Sequence, residues 1–270
     1  MKSVILISAV LTAAVAWGQD AAAGDRFTIP FSDPSRPKIL KASVINGSIT
    51  VRGYAGNEVV VEGRSSSDGR RHVPRRADGL RRIDVGSFGI TAEEQDNVVR
   101  VSAHPSNGVN LVIQVPYSTS LQLRSQNDGT ILVEHVEGEI DADNSNGPVK
   151  LMNVSGVVVA HSLNGEVQVV LDKIQSGKAM SFSSLNGDID VTLPADAKAR
   201  IKLKTDNGEA YSDFEIRLEP NSRPVVEQGR SDKGKYRVRL DKAIYGTING
   251  GGPDMQFTTL NGQIFVRKKK

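Results

Sequence analysis

A basic segment is the first feature of this sequence with the means to do chemistry. Seven arginines fall within the nineteen residues from 64 to 82, opposed only by Asp68 and Asp78, which leaves a local charge of +5. Guanidinium groups at this density indicate a loop that binds anions such as an acidic glycan, lipopolysaccharide phosphate or membrane headgroups. The alternative is a solvated loop that keeps the protein soluble, which is the commoner role of a charge run. The candidate anion-binding residues are Arg64, Arg70, Arg71, Arg75, Arg76, Arg81 and Arg82.

Two pairs of aspartates have the spacing for acid–base or cation chemistry. Asp141 and Asp143 are two residues apart in a strand-like stretch, as are Asp188 and Asp190, so each pair projects to one side of its strand. Paired carboxylates of this kind serve glycoside hydrolysis. Apolar residues alternate with these aspartates, however, and that pattern places the carboxylates in water.

Other catalytic and metal-binding motifs are missing from the sequence. The four histidines never occur at HxH, HxxH or HxxxH spacing, and there is no cysteine, GxSxG, P-loop or HExxH motif. Gly250-Gly251-Gly252-Pro253 lacks the following Lys-Ser/Thr of a phosphate-binding loop and predicts a tight turn. The sequence therefore predicts no metal, no cofactor and no catalytic residue. The histidines are His72, His104, His135 and His161.

Glycines at a regular period organise the middle of the chain. They recur every nine residues, with apolar residues two and four positions after each, which indicates one structural unit stacked on copies of itself. We expect the first, third and fifth of these glycines to stack in one column and the second and fourth in another. The glycines are Gly129, Gly138, Gly147, Gly156 and Gly165.

The turns between the alternating apolar runs share one chemistry. Asn-Gly occurs eight times, and the tetrapeptide Ser162-Leu163-Asn164-Gly165 has close copies at 184–187 and 259–262. Asn-Gly is a strong hairpin signal, which leaves an antiparallel β-sandwich of hairpins as an alternative. Repetition of the same tetrapeptide favours an all-β fold, a single-domain parallel β-helix or solenoid with rungs of about 18–22 residues. We expect the asparagines to form an internal amide ladder.

Domain limits follow from where the pattern starts and breaks. Lys2, a short apolar stretch and Ala16-Trp17-Gly18 are typical of a signal peptide, so residues 1–18 are predicted to be cleaved from a mature chain of 252 residues. Residues 19–270 then form one β-solenoid domain. Its pattern is interrupted by a basic insertion near 64–89 and a polar stretch from Glu215 to Gly234. The mature net charge of +2 gives no indication of nucleic acid as a partner.

Three segments resemble a known family, the DUF4097 group of exported bacterial proteins described as adhesins. They are Ser43–Val51, Met180–Val191 and Tyr245–Pro253. The resemblance implies a β-solenoid fold and a location in the envelope or at the surface. It defines no catalytic residue that these positions could inherit.

Residues and resemblance together predict a non-enzymatic extracytoplasmic protein, an adhesin or an envelope binding or structural module. It would be exported and periplasmic, at the outer surface or secreted, with an anionic envelope glycan or another surface protein as partner. The alternative is a carbohydrate-active enzyme, a polysaccharide lyase or hydrolase on the same scaffold. Such an enzyme would need a cleft lined by convergent acidic or basic side chains.

Overall fold

The computed structural model describes residues 25–65, 89–103, 108–219, 225–230, 236–241 and 243–270. Twenty-two β-strands run through these ranges, and no helix occurs in them. The prediction of an all-β fold is therefore confirmed. The predicted signal peptide and most of the basic insertion lie outside the described residues.

The strands are arranged as two faces, which enclose one hydrophobic core. In lateral order the front face contains β5 (Ile90–Gln95), β6 (Val98–Ala103), β2 (Lys38–Asn46), β8 (Thr119–Asn127), β10 (Glu137–Asn146), residues 155–164 of β11 (Val149–Asn164), β13 (Met180–Asn186), β21 (Asp254–Asn261), β15 (Ala199–Thr205), β20 (Ile244–Ile248) and β17 (Ile216–Leu218). The back face contains β1 (Asp25–Pro30), β4 (Glu58–Ser65), β7 (Val109–Pro116), β3 (Ile49–Tyr54), β9 (Ile131–Glu134), the first residues of β11, β12 (Val167–Ile174), β14 (Ile189–Leu193), β22 (Ile264–Lys268) and β16 (Ala210–Ser212).

One rung of the fold consists of a front strand, a turn at Asn-Gly and a back strand. In the middle of the chain Gly138 pairs with Gly156, and Val149 pairs with both Ile131 and Val167, so neighbouring rungs are 18 residues apart. The strands on either side of these Asn-Gly turns pair in parallel with strands of adjacent rungs, not with each other as in a hairpin. The nine-residue spacing of the glycines therefore corresponds to half a rung, that is, to one strand and its turn.

The core is made by the apolar positions that keep phase with the glycines. All ten of them are at most 1% exposed, because alternate residues of each strand point inward between the two faces. They are Ile131, Val133, Ile140, Ala142, Val149, Leu151, Val158, Ala160, Val167 and Val169. This core follows directly from the pattern seen in the sequence.

The predicted glycine columns are present. A methyl group on Gly147 would lie 2.0 Å from the carbonyl oxygen of Gly129, and one on Gly165 would lie 2.3 Å from that of Gly147. In the second column a methyl group on Gly156 would lie 2.2 Å from the carbonyl oxygen of Gly138. Glycine is required at these positions because the neighbouring backbone occupies the place of a side chain.

A ladder of polar side chains, all buried except the half-buried Thr205, lies just inside the turns. Each donates a hydrogen bond to the carbonyl oxygen of the glycine in an adjacent rung, over 2.7–3.1 Å. The repeated Ser-Leu-Asn-Gly and Thr-Leu-Asn-Gly sequences therefore pair a hydroxyl with a glycine carbonyl one rung away. The donors are Ser125, Asn144, Ser162, Ser184, Thr259 and Thr205.

The expected asparagine ladder exists, but it lies on the surface and is not internal. Side-chain amides donate from Asn164 to Asn146, from Asn186 to Asn164, from Asn261 to Asn186 and from Asn207 to Asn261, over 2.7–2.9 Å. All five side chains are exposed. Each asparagine is two residues after the inward-pointing hydroxyl, a spacing that would keep it on the same face of a regular strand. The asparagines project outward because the strand enters the turn there and the regular alternation ends.

The order of rungs in space differs from their order in the chain. The last rung, β21 and β22, lies between the rung of β13 and β14 and the rung of β15 and β16. At the other end the rung of β2 and β3 lies between that of β6 and β7 and that of β8 and β9. Phe257 consequently stacks on Phe182 with ring centroids 5.0 Å apart.

Antiparallel strands terminate the parallel stack, so the described sheet has mixed strand directions. Strands β1, β4 and β5 pair antiparallel at one end, and β20 and β17 do so at the other. The polar stretch after Glu215 is not simply an excursion, because it contains β17. Strands β18 (Val225–Arg230) and β19 (Tyr236–Asp241) pair antiparallel with each other, outside the main sheet.

We expect Gly165→Ala to lower the free energy of unfolding by about 2–3 kcal/mol, because the new methyl group meets fixed backbone atoms. Urea unfolding followed by circular dichroism measures the change. The control is Gly177→Asn, where no atom lies within 4 Å of the added carbon and asparagine tolerates the positive φ of 83°. Equal stability of the two variants would contradict the close stacking of the turns.

We expect Ser184→Ala to cost about 1–2 kcal/mol of stability, since the carbonyl oxygen of Gly165 loses its buried hydroxyl donor. Ser181→Ala, on the outward side of the same strand, should change stability by less than about 0.5 kcal/mol. Urea unfolding measures the stability of both variants. An equal loss of stability in Ser181→Ala and Ser184→Ala would argue against the ladder of hydrogen bonds to the glycine carbonyls.

Candidate binding surface

The candidate anion-binding segment is only partly within the described residues. Arg64 lies at the end of β4, where its Nε donates to Glu62 Oε1 over 2.7 Å, and this hydrogen bond raises the pKa of Arg64. The other six arginines, from Arg70 to Arg82, lie outside the described residues. Arg64 is therefore already paired along its own strand, and the anion-binding hypothesis depends on the other six.

The first aspartate pair is held by an arginine from the neighbouring strand. Asp141 and Asp143 point to the same outward side of β10, as expected, and the guanidinium of Arg124 lies between them. Its Nη2 is 2.6 Å from Asp141 Oδ2, and its Nε is 3.6 Å from Asp143 Oδ2. The hydrogen bond to Asp141 raises the pKa of Arg124. This arrangement is a cross-strand ion pair, which leaves neither carboxylate free as an acid or base.

The two aspartates of the second pair, Asp188 and Asp190, make different contacts with the adjacent rung. Asp188 Oδ1 accepts a hydrogen bond from the backbone N–H of Gln263 over 2.7 Å, which fixes the turn of the adjacent rung. Asp190 accepts two bonds of 2.9 Å from Arg267 Nε. The pair lies toward solvent as the alternation predicted, and each member stabilises contact between rungs.

A row of Asp143, His161 and Ser183 crosses three front strands, and sequence inspection missed it. These residues are paired in register although 18 and 22 positions separate them. His161 Nδ1 lies 2.9 Å from Ser183 Oγ. A nucleophilic triad would need the other ring nitrogen on serine and a carboxylate on Nδ1. The observed geometry is a hydrogen bond between the side chains of two adjacent strands.

Metal-binding clusters are not found among the described residues. In those ranges no group of three or more His, Cys, Asp or Glu side chains is placed to hold an ion. His135 and His161 lie there, whereas His72 and His104 fall outside. Gly250 and Gly251 have φ values of 84° and 88° and form the turn before β21, as the sequence predicted.

A groove with a volume of about 870 Å³ lies at a corner beside β15 and β21. Two of its carboxylates are bound by cations: Asp254 lies 2.7 Å from Arg200 Nε, and Asp172 lies 2.6 Å from Lys269 Nζ. The hydrogen bond from Arg200 lowers the pKa of Asp254. These two carboxylates therefore form separate ion pairs with different cations.

An aromatic pair lies near the end of the back face. Tyr211 and Phe265 stack with ring centroids 5.4 Å apart and planes 13° apart, and the guanidinium of Arg267 lies 5.0 Å from the Phe265 ring centre. Strands β16 and β22 bring them together although 54 residues separate them in the chain. Tyr211 is 45% exposed, so the pair contributes an apolar patch to the surface.

The fold is all-β, and outward side chains of adjacent strands form rows of hydrogen bonds and ion pairs on its surface. Residues 126–243 match the family model described as Toastrack DUF4097, which confirms the resemblance. The matched stretch is shorter than the range from Ser43 to Pro253 over which the three resembling segments are spread. Comparison with curated proteins found no match.

Two solved structures are similar to this chain at low identity. The first, described as a "putative cell adhesion protein" from Clostridium sporogenes ATCC 15579, has 11% identity, a TM-score of 0.41 and coverage of 92% of this chain and 100% of its own. The second, described as a "putative adhesin" from Bacteroides fragilis NCTC 9343, has 9% identity, a TM-score of 0.31 and coverage of 92% and 98%. Among the described residues, no helix has the length and apolarity to cross a membrane.

We expect Glu209→Gln to lower the pKa of Tyr211. The phenol donates a hydrogen bond to the Glu209 carboxylate, and this bond raises the pKa of Tyr211 above its usual value of about 10. Because the pKa of Tyr211 is raised in the folded protein, its hydrogen bond stabilises the folded state at pH values below the pKa of this tyrosine in the unfolded chain. This stabilisation is lost as pH rises through the folded-state pKa. Tyrosine ¹³Cζ shifts followed by NMR against pH measure it. Identical Tyr211 titrations in both proteins would contradict the bond.

Proposed function

We propose that this chain is a non-enzymatic, extracytoplasmic binding module of the cell envelope, of the adhesin type. Its parallel part would be a β-solenoid with rungs of about 18–22 residues, as expected from the glycine period. The ligand would be an anionic envelope glycan, with another surface protein as the alternative partner.

The observation that carries this proposal is how the surface carboxylates are used. Asp141, Asp190 and Asp254 each bind an arginine of an adjacent strand, on open faces of the sheet. An acid–base enzyme needs carboxylates that are free to exchange protons beside the substrate. Paired carboxylates on a flat sheet instead favour a rigid surface for recognition.

The charge distribution supports an anionic ligand. The segment from Arg64 to Arg82 has a local charge of +5, whereas the whole chain has only +3. Such a concentration of guanidinium groups attracts polyanions and speeds their association. The signal-like residues 1–18 support export, which would bring the protein to periplasmic, outer-surface or secreted glycans.

The proposal predicts that the chain beginning at residue 19 binds an acidic polysaccharide, and that serine at positions 70, 71, 75, 76, 81 and 82 weakens binding at least tenfold. Polygalacturonate serves as the probe in isothermal titration calorimetry, with neutral dextran for comparison. Binding should weaken as salt rises, because exposed charges are screened. Arg64→Ser is made separately, because Arg64 is paired with Glu62.

A matched control removes the same charge elsewhere, through serine at Arg36, Lys150, Lys173, Lys198, Arg217 and Lys270. We expect it to bind nearly as well as the unchanged chain. Equal binding by the arginine-segment variant would contradict the role of that segment. Release of reducing ends or unsaturated uronate from the probe would overturn the proposal in favour of a polysaccharide hydrolase or lyase.

A further inference from the structure

A polar trough of about 380 Å³ lies on the front face, across β5, β6, β2 and β8. Its side chains come in two rows, set by the pairing of the four strands. The strands lie about 4.8 Å apart, so each row extends for about 14 Å. No segment of the sequence contains these residues together, and the trough exists only because β2 lies between β6 and β8.

The first row forms the floor of the trough. Thr91 is opposite Ser102, Ser102 is opposite Ser43, and Ser43 is opposite Arg124. All four side chains are exposed. Three short hydroxyl groups followed by a guanidinium produce a shallow channel lined by hydrogen-bond donors, because serine and threonine rise less above the sheet than their neighbours.

The second row forms one wall. Glu93 is opposite Arg100, Arg100 is opposite Lys41, and Lys41 is opposite Gln122. Within the described residues, neither Lys41 nor Arg100 makes a hydrogen bond or ion pair with its side chain. Adjacent like charges repel each other, so two unpaired cations side by side are a cost that a bound anion would remove.

The charge balance indicates the sign of the ligand. Among the lining residues Lys41 and Arg100 exceed Glu93 by one positive charge, whereas the charge of Arg124 is offset by its ion pair with Asp141. Guanidinium and ammonium groups above a row of hydroxyls match a carboxylate or ester oxyanion that also has neighbouring sugar hydroxyls.

We propose that this trough binds the acidic sugars of an anionic polysaccharide. The inference rests on the proposed binding function and adds to it a site and a ligand class. An extended chain fits because the trough is open and crosses four strands. A membrane surface fits less well because the outward side chains of the trough are charged, amide or hydroxyl groups, whereas the exposed apolar side chains Val159, Leu163 and Leu185 lie on other strands. Strand β5 begins shortly after the arginine-rich segment, so both basic features adjoin in the chain.

The test is the double variant Lys41→Gln/Arg100→Gln in the chain beginning at residue 19, titrated with polygalacturonate. We expect at least tenfold weaker binding. The matched control Lys150→Gln/Arg217→Gln removes the same charge from the back face and from β17, and should bind within about twofold of the unchanged chain. Circular dichroism and the urea midpoint confirm that both variants are folded.

A second measurement locates the ligand without any substitution. Galacturonate oligomers added to ¹⁵N-labelled protein should shift the backbone amides of Ser43, Ser102 and Arg100 more than those of Lys150 and Arg217. Shifts confined to other strands would overturn the trough as the site, even when binding itself is present.

The outcomes separate the two proposals. A chain that binds no polygalacturonate overturns the proposed function and this inference together. Binding that is abolished by the arginine-segment substitutions but unchanged in Lys41→Gln/Arg100→Gln leaves the function standing and overturns the trough. Binding of phosphatidylglycerol vesicles without binding of polygalacturonate identifies a lipid surface as the ligand and also overturns it.

Discussion

Close stacking of the Asn-Gly turns is the constraint on which the rest of this structure depends. The carbonyl oxygen of each column glycine occupies the place of its neighbour's missing side chain, about as near as two backbones can approach. The same oxygen accepts a hydrogen bond from a buried hydroxyl or amide of the adjacent rung. One position thus fixes both the spacing and the register of the rungs. The regular rows of outward side chains follow from that register.

The ladder has one imperfect step, which shows how specific the position is. Asn144 replaces the usual Ser or Thr, and its Nδ2 donates to Gly129 over 2.7 Å as the hydroxyls do. Its Oδ1 is buried and has no hydrogen-bond partner among the described residues. A hydroxyl supplies the one donor that the glycine carbonyl needs, whereas an amide adds an acceptor that the turn leaves unsatisfied.

Because the rungs are interleaved, strands β2 and β21, from near the two ends of the chain, lie within the stack. Strand β21 has parallel neighbours on both sides, β13 and β15, and Phe257 stacks on Phe182 within the core. Strand β2 has the same relation to β6 and β8, and it brings Lys41 beside Arg100. Antiparallel strands at the ends of the stack then replace further rungs. The interior of the fold is therefore repetitive, whereas the side chains brought together on its surface differ from place to place.

The sequence by itself determined the local rules of this protein. The repeated tetrapeptide ending at Gly165 predicted the turns, and the alternation around Val149 and Leu151 predicted strands, inward faces and glycine columns, because these depend on residues within one rung or its neighbour. Tertiary structure alone decided which rungs are adjacent. Every rung offers the same backbone hydrogen bonds, so the period cannot tell that Phe257 lies on Phe182 or that Lys41 lies beside Arg100. Surface rows such as the trough depend on that order, since they join residues whose only relation is the register of parallel strands.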